Sequence, residues 1–257
     1  MEIAEYNSKA WDKQVEEGSE WGIPFSPEVI AAARRGEFSI ILTPLKPVPR
    51  DWFPESLAGI DVLGLASGGG QQMPVLAAAG ANVTSFDNSE AQLEKDKFVA
   101  KREGLSIRCE KGDAADLSRF ADQSFDLIFN PCSNCYFADL EPVWKEAYRV
   151  LKPGGVLLSG FNNPITFIFD RKLDEDKKQL VVRHPLPYSD LEHLTREELA
   201  EIREKKHPTG IRPHTRVPNR RPNKSRLHNR RILRRLLVRR NLRTKQILPN
   251  VHRDKGP

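Results

Sequence analysis

Apolar residues in this chain come in short blocks separated by polar stretches, and the blocks alternate between two periods. GIDVLGLA (59–66) is a near-continuous apolar run breaking into glycines, the pattern of a strand buried on both faces. QQMPVLAAAGA (71–81) reads as a helix packed through Val75, Leu76 and Ala79 and ended by Gly80. NVTSFD (82–87) is the next strand, and SEAQLEKDKFVAKREGL (89–105) is a charged amphipathic helix with Ser89 as its cap. SIRCEKGD (106–113), SFDLIFNP (124–131) and VLLSGF (156–161) supply three more strands. LEPVWKEAYRVLKPGG (140–155) is a helix stopped by Pro153 and the glycines. Strands separated by helices predict βαβ units, hence an α/β fold with a doubly wound parallel sheet.

In such a sheet, ligands bind beyond the carboxyl ends of the strands, where strand order reverses. The turn formed by Ala66, Ser67, Gly68, Gly69 and Gly70 falls at that edge. Glycine there permits positive φ and removes Cβ atoms that would hold a ligand off the backbone. Asp87 ends the second strand 19 residues after Gly68, a spacing at which a carboxylate can accept both hydroxyls of a ribose. The plainer alternative is a tight turn followed by a helix-capping aspartate. A dinucleotide fingerprint needs a third glycine where Met73 stands, and no nucleoside-triphosphate loop occurs. A ligand with ribose and adenine but no pyrophosphate fits these residues, and S-adenosylmethionine is the common one.

VLGLASGGGQQ (62–72), FDNS (86–89), EKGDAADL (110–117), FDLIFNPCSN (125–134) and YRVLKPGGVLL (148–158) follow in the order of one known family. The chain resembles the class I S-adenosylmethionine-dependent methyltransferases, of the methyltransferase type 11-like kind, over roughly residues 55 to 165. The resemblance implies a Rossmann-like sheet that here lacks its last two strands. It also implies that the backbone of Ala66, Ser67, Gly68, Gly69 and Gly70 faces the methionine part of the cofactor. Asp87 would bind the ribose, Asn88 would flank the adenine, and Asp113 with Ala114 would hold the adenine edge. Two positions depart from the family pattern: Gly64 stands where an acidic residue is usual, and Ala66 replaces the first glycine of G-x-G.

The loop after the fourth strand, starting at Asn130 and Pro131, should face the transferred methyl. Asn130 and Pro131 match the first half of the N/D-P-P-Y/F motif of amino-group methyltransferases, and Asn130 is counted with the cofactor site. No residue declares itself as a catalytic base. Cys132 and Cys135 lack the helix start of a redox pair and the two further ligands of a zinc site, so no metal is expected. Tyr6, Trp11 and Trp21 either fold over the cofactor as a lid or pack an N-terminal helix on the sheet. His184 and Tyr188 either contact the acceptor or belong to a proline-stiffened loop.

No run of 18 apolar residues is present to cross a membrane, and MEIAEYNSKAWDKQ has no apolar stretch of a secretory signal. Three cysteines do not make a disulfide framework, which suits the cytoplasm. Charge changes the picture further. The final 49 residues carry 13 arginines, three lysines and one acid, Asp254, a net +15, and leave residues 1–208 at −9. The chain thus divides into an N-terminal helical segment able to act as a lid (1–54), an S-adenosylmethionine-binding domain (55–208) and a basic tail (209–257). An acidic body repels nucleic acid, so an RNA-binding or RNA-methylating reading rests on the tail alone, and a small-molecule acceptor is expected.

The tail contains no Ala, Glu, Phe, Trp, Tyr, Met or Cys. With suitable codons read from the second base, GIRPHTRVPNRRPNK gives EFGHTLESQIGGQI and SRLHNRRILRR gives AGFITGGFYED. Both strings have the apolar patterning of the missing helix and strand. We therefore expect out-of-frame translation from about Thr209, and a tail too basic and aromatic-poor to bury a core. Sequencing the coding DNA should reveal the shifted base; an uninterrupted frame in independent isolates would contradict it.

Overall fold

The structure, a computed structural model, describes residues 3–208 apart from 45, 171, 172, 174–177 and 206. The basic tail lies outside the described residues. All described residues belong to one compact unit.

Helices α1 (Ile3–Glu16) and α2 (Pro27–Arg34) open the chain. The antiparallel pair β1 (Ile41–Thr43) and β2 (Lys46–Pro47) follows them. The segment to residue 54, expected to be helical, therefore also carries a hairpin; three residues are too few to show a period. Next come β3 (Asp61–Leu65), α3 (Gln72–Ala78), β4 (Asn82–Asp87) and α4 (Glu90–Glu103). They are followed by β5 (Ile107–Lys111), β6 (Phe125–Asn130), α5 (Leu140–Val150) and β7 (Leu151–Ser159). The sheet runs β5-β4-β3-β6-β7 with every neighbour parallel, a Rossmann-like arrangement. Strand order reverses between β3 and β6, and the crevice opens there. Among the described residues no further strand extends the sheet past β7.

Alternate strand residues feed the two faces. Val62, Leu127 and Phe129 join Ile30, Met73 and Leu76 on one side; Leu63, Leu65, Ile128 and Phe86 join Phe120, Val143 and Ala147 on the other. Most are wholly shielded, and each such side chain contributes about 1.5–3 kcal/mol relative to exposure.

The helix expected over 140–155 stops at Val150. Pro153 lacks an N–H and disfavours helical geometry at Lys152, and the chain is extended from Leu151 (φ −74°, ψ 132°). The β6–β7 register then jumps from Phe125 opposite Leu151 to Leu127 opposite Val156, and residues 152–155 loop out. A further helix, Arg196–Glu204, is started by a Thr195–Glu198 capping box.

The β1–β2 hairpin lies against the carboxyl ends of β6 and β7. Cys132 N donates to Leu42 O (2.9 Å) and Gly160 N to Asn130 O (2.9 Å). A Cβ on Gly160 would stand 2.1 Å from Leu42 O. Gly160→Ala should therefore push the hairpin off and lower stability by about 1–3 kcal/mol. An unchanged urea midpoint would show that the hairpin does not seat there.

Candidate functional site

A cavity of about 450 Å³ occupies the crevice at the strand reversal, within the size range of small-molecule sites. Its walls are the turn after β3, the end of β4, α1, the β1 hairpin, the loop after β6 and the start of α5.

Asp87, the last residue of β4, is nearly buried. One carboxylate oxygen accepts Gly68 N (3.0 Å) and the other accepts Ser89 N (2.9 Å). Burial pushes its pKa up against these bonds, and the nearby charge of Asp12 adds to the rise. A carboxylate has about four acceptor positions, so two remain for a ligand in the cavity. Ser67 Oγ and Gln92 Oε1 are buried, line the same cavity and have no hydrogen-bond partner within the protein. Buried polar atoms of this kind ordinarily have one.

The glycines serve a different purpose from the one expected. Ala66, Ser67 and Gly68 line the cavity; Gly69 and Gly70 do not. A Cβ at Gly68 would meet Gln92 Cβ at 2.8 Å, at Gly69 Trp21 O at 2.3 Å, and at Gly70 Lys95 O at 3.0 Å. Their missing side chains make room for α4 and for residues 21–24. Gly69 N donates to Gln92 O (3.0 Å), so the turn is bonded to the protein along its length. At Gly64 a Cβ would lie 2.1 Å from Met73 Sδ and 2.3 Å from Ser67 Oγ. The space of the family's acidic side chain is filled.

Asn88, Asp113 and Ala114 also line the cavity. Asn88 is held by α1: its Nδ2 donates to Ala4 O (3.2 Å), and its carbonyl accepts Ser8 Oγ (2.5 Å). Asp113 accepts Ala115 N (2.9 Å) and shapes its own loop. Asn130 is not brought to the site. It is fully buried, donates to Leu65 O and Ser133 Oγ (both 2.8 Å), and accepts Ser159 Oγ (2.9 Å). The side chain ties three strand ends together, and Pro131, Cys132 and Ser133 form the wall instead.

Trp11 and Trp21 face the cavity, and Trp11 meets Tyr136 edge-on at 5.2 Å. Tyr6 lies elsewhere, donating to His207 O (2.8 Å). Asp12 accepts Ser89 Oγ (2.6 Å) and Ala91 N (3.0 Å), so α1 caps α4 from outside. His184 and Tyr188 stay off the cavity, grouped with His193 (ring centroids 4.8 Å between His184 and Tyr188, 5.3 Å between Tyr188 and His193). Asn162 bridges the two cysteines, accepting from Cys132 Sγ (2.7 Å) and donating to Cys135 Sγ (3.3 Å). Burial pushes the Cys132 thiol up, so it stays neutral. No cluster of three metal-ligating side chains occurs among the described residues.

Asn7, Ile41, Leu42, Thr43, Gln72, Phe137 and Asn162 line the cavity without having been singled out from the sequence. Only Gln72 left a signal, the paired glutamines after the glycines; its Oε1 accepts Ile41 N (3.2 Å) and anchors the hairpin.

Behind the turn, Asp96 of α4 is fully buried, accepting Gly70 N (2.7 Å) and Ser85 Oγ (2.6 Å). Burial pushes its carboxyl up to about 7, with the charge of Asp87 adding. Cys109 on β5 faces it as a thiol that burial pushes up to about 12. A carboxyl whose folded pKa is raised makes the folded state hold more protons. Stability should therefore fall as pH rises from about 4 to about 7. Asp96→Asn should flatten most of that slope in urea midpoints; an unchanged slope would place the titration elsewhere. Ala66 sits at φ 51°, a left-handed conformation costly for a residue with a Cβ. Ala66→Gly should raise stability by about 0.5–1 kcal/mol, and a lowered midpoint would show that the strain is absent.

Comparison with known proteins agrees with this geometry. A family model described as a methyltransferase domain matches residues 63–159. The Bacillus subtilis (strain 168) protein described as uncharacterized methyltransferase YbaJ is 52% identical over 200 residues, 78% of each chain. The sterol 24-C-methyltransferase erg6 of Aspergillus fumigatus is 40% identical over 101 residues, 38% of this chain and 26% of that protein. The arsenite methyltransferase of Aquipseudomonas alcaligenes is 34% identical over 159 residues, 56% of this chain and 44% of that protein. With a parallel five-stranded sheet and half its residues shared across most of a relative's length, the chain belongs to the class I S-adenosylmethionine-dependent methyltransferases.

Proposed function

We propose that the cavity at the strand reversal holds S-adenosylmethionine and a small-molecule methyl acceptor together. The observation that carries this reading is Asp87. It presents a buried carboxylate, with acceptor positions to spare, on the cavity that Ser67 and Gly68 also line. Asp87 then takes the two ribose hydroxyls, Ser67 and the backbone of Ala66 and Gly68 face the methionine part, and Asn88, Asp113 and Ala114 frame the adenine. Residues 1–54 act as the cover over the 55–208 domain, with Trp11 and Trp21 closing the site.

The cofactor supplies a methyl on a sulfonium, which is already a good leaving group. The protein's task is to align an acceptor with that methyl and to exclude water. The far wall suits a compact, largely apolar acceptor: Ile41, Leu42, Pro131, Tyr136, Phe137 and Val143 supply apolar surface, and Thr43, Ser133 and Asn162 supply hydrogen bonds. Sterol and arsenite enzymes among the relatives are named for small acceptors, which supports the same class. Asp113 and Asp139 on the cavity oppose a phosphate backbone, against the RNA reading. Among the described residues no helix is long and apolar enough to cross a membrane.

Asp87→Asn should weaken S-adenosylhomocysteine binding about tenfold to a hundredfold, the value of charge-assisted bonds of about 1.5–3 kcal/mol. Calorimetry showing wild-type affinity would remove Asp87 from the ribose. A tritiated-methyl transfer screen of cell extract should identify the acceptor as a small labelled product; label confined to RNA would overturn the small-molecule reading.

A further inference from the structure

The family's acidic residue is absent from β3, yet the turn is not without a second carboxylate. Asp96 reaches it from α4, grips the last of the three glycine N–H groups, and is held in turn by Ser85 of β4. Asp87 grips the first glycine and the Gln92 carbonyl the second. Gly70 O, on the same residue, accepts Phe25 N (2.9 Å). That bond ties down the segment carrying Trp21, which faces the cavity, and Gln71 Nε2 reinforces it by donating to Glu20 O (2.8 Å) and Ile23 O (2.9 Å). A single buried side chain thus sets both the curvature of the turn and the seat of its cover.

We propose that Asp96 is a positioning residue for S-adenosylmethionine, holding from α4, through Gly70, the turn that places Ser67 and Gly68 against the cofactor. The assignment rests on the cavity being the cofactor site. It differs from a packing role because its effect passes through a hydrogen bond that a neutral isostere can keep. Asparagine at position 96 can accept from Gly70 N and donate to Ser85 Oγ. Leucine fills the volume and makes neither bond, and glutamate keeps the charge but carries it one methylene too far.

The test is calorimetric titration of S-adenosylhomocysteine into the wild-type full-length chain and into Asp96→Asn, Asp96→Leu and Asp96→Glu, each checked for folding by circular dichroism. Asp96→Asn should bind within about threefold of wild type, whereas folded Asp96→Leu and Asp96→Glu should each bind at least about tenfold more weakly, a difference of about 1.4 kcal/mol. If Asp96→Leu fails to fold, Asp96→Glu against Asp96→Asn decides the matter. Wild-type affinity in a folded Leu or Glu variant, or loss in Asn equal to that in Glu, would overturn the positioning role. A wild-type chain that itself fails to bind would instead overturn the cofactor-site reading.

Discussion

The site depends on one carboxylate bonded to two backbone amides at once. Asp87 joins the turn after β3, through Gly68 N, to the first turn of α4, through Ser89 N. Hydrogen bonds to an ionised acceptor are roughly twice as strong as neutral ones, which suits a junction where two βα units meet. Burial opposes the same charge and raises its pKa. Two amide donors satisfy only half of what the carboxylate can accept, so its desolvation is incompletely compensated until hydroxyl groups arrive. In the proposed site, structural anchor and ligand acceptor are one group.

The sheet was legible because its central strands β3 and β6 are apolar runs bounded by turn signals and the other strands alternate with helical patterns. Gly80 and Ser89 announced helix boundaries through local chemistry. What local pattern could not show was contact across long separations. The bond from Ser89 to Asp12 spans 77 positions, and that from Asn130 to Leu65 spans 65. Asn130 is polar, follows an apolar run and precedes a loop, which marks a site from sequence; in space it closes three strand ends. The glycines misled in a related way. Their lack of a side chain is needed by α4 and by residues 21–24, neighbours that no spacing rule connects to the turn.

Gly64 shows how a departure from a family pattern is absorbed. With no side chain on β3, Met73 Sδ and Ser67 Oγ close in, and Ser67 Oγ is left as a buried hydroxyl on the cavity. A second carboxylate meets the turn from α4, where Asp96 accepts Gly70 N. Both carboxylates are buried, and the charge of Asp87 adds to the cost of charging Asp96.

The cap that α1 places on α4 ties ligand traffic to the fold itself. Swinging α1 away to admit a cofactor would strip Asp12 from Ser89 Oγ and Ala91 N and expose amide donors at the start of α4. Opening is then a partial unfolding event with its own enthalpy, not a free hinge motion. Residence of the bound nucleoside would consequently shorten steeply on warming, because the gate and the helix end melt along one coordinate.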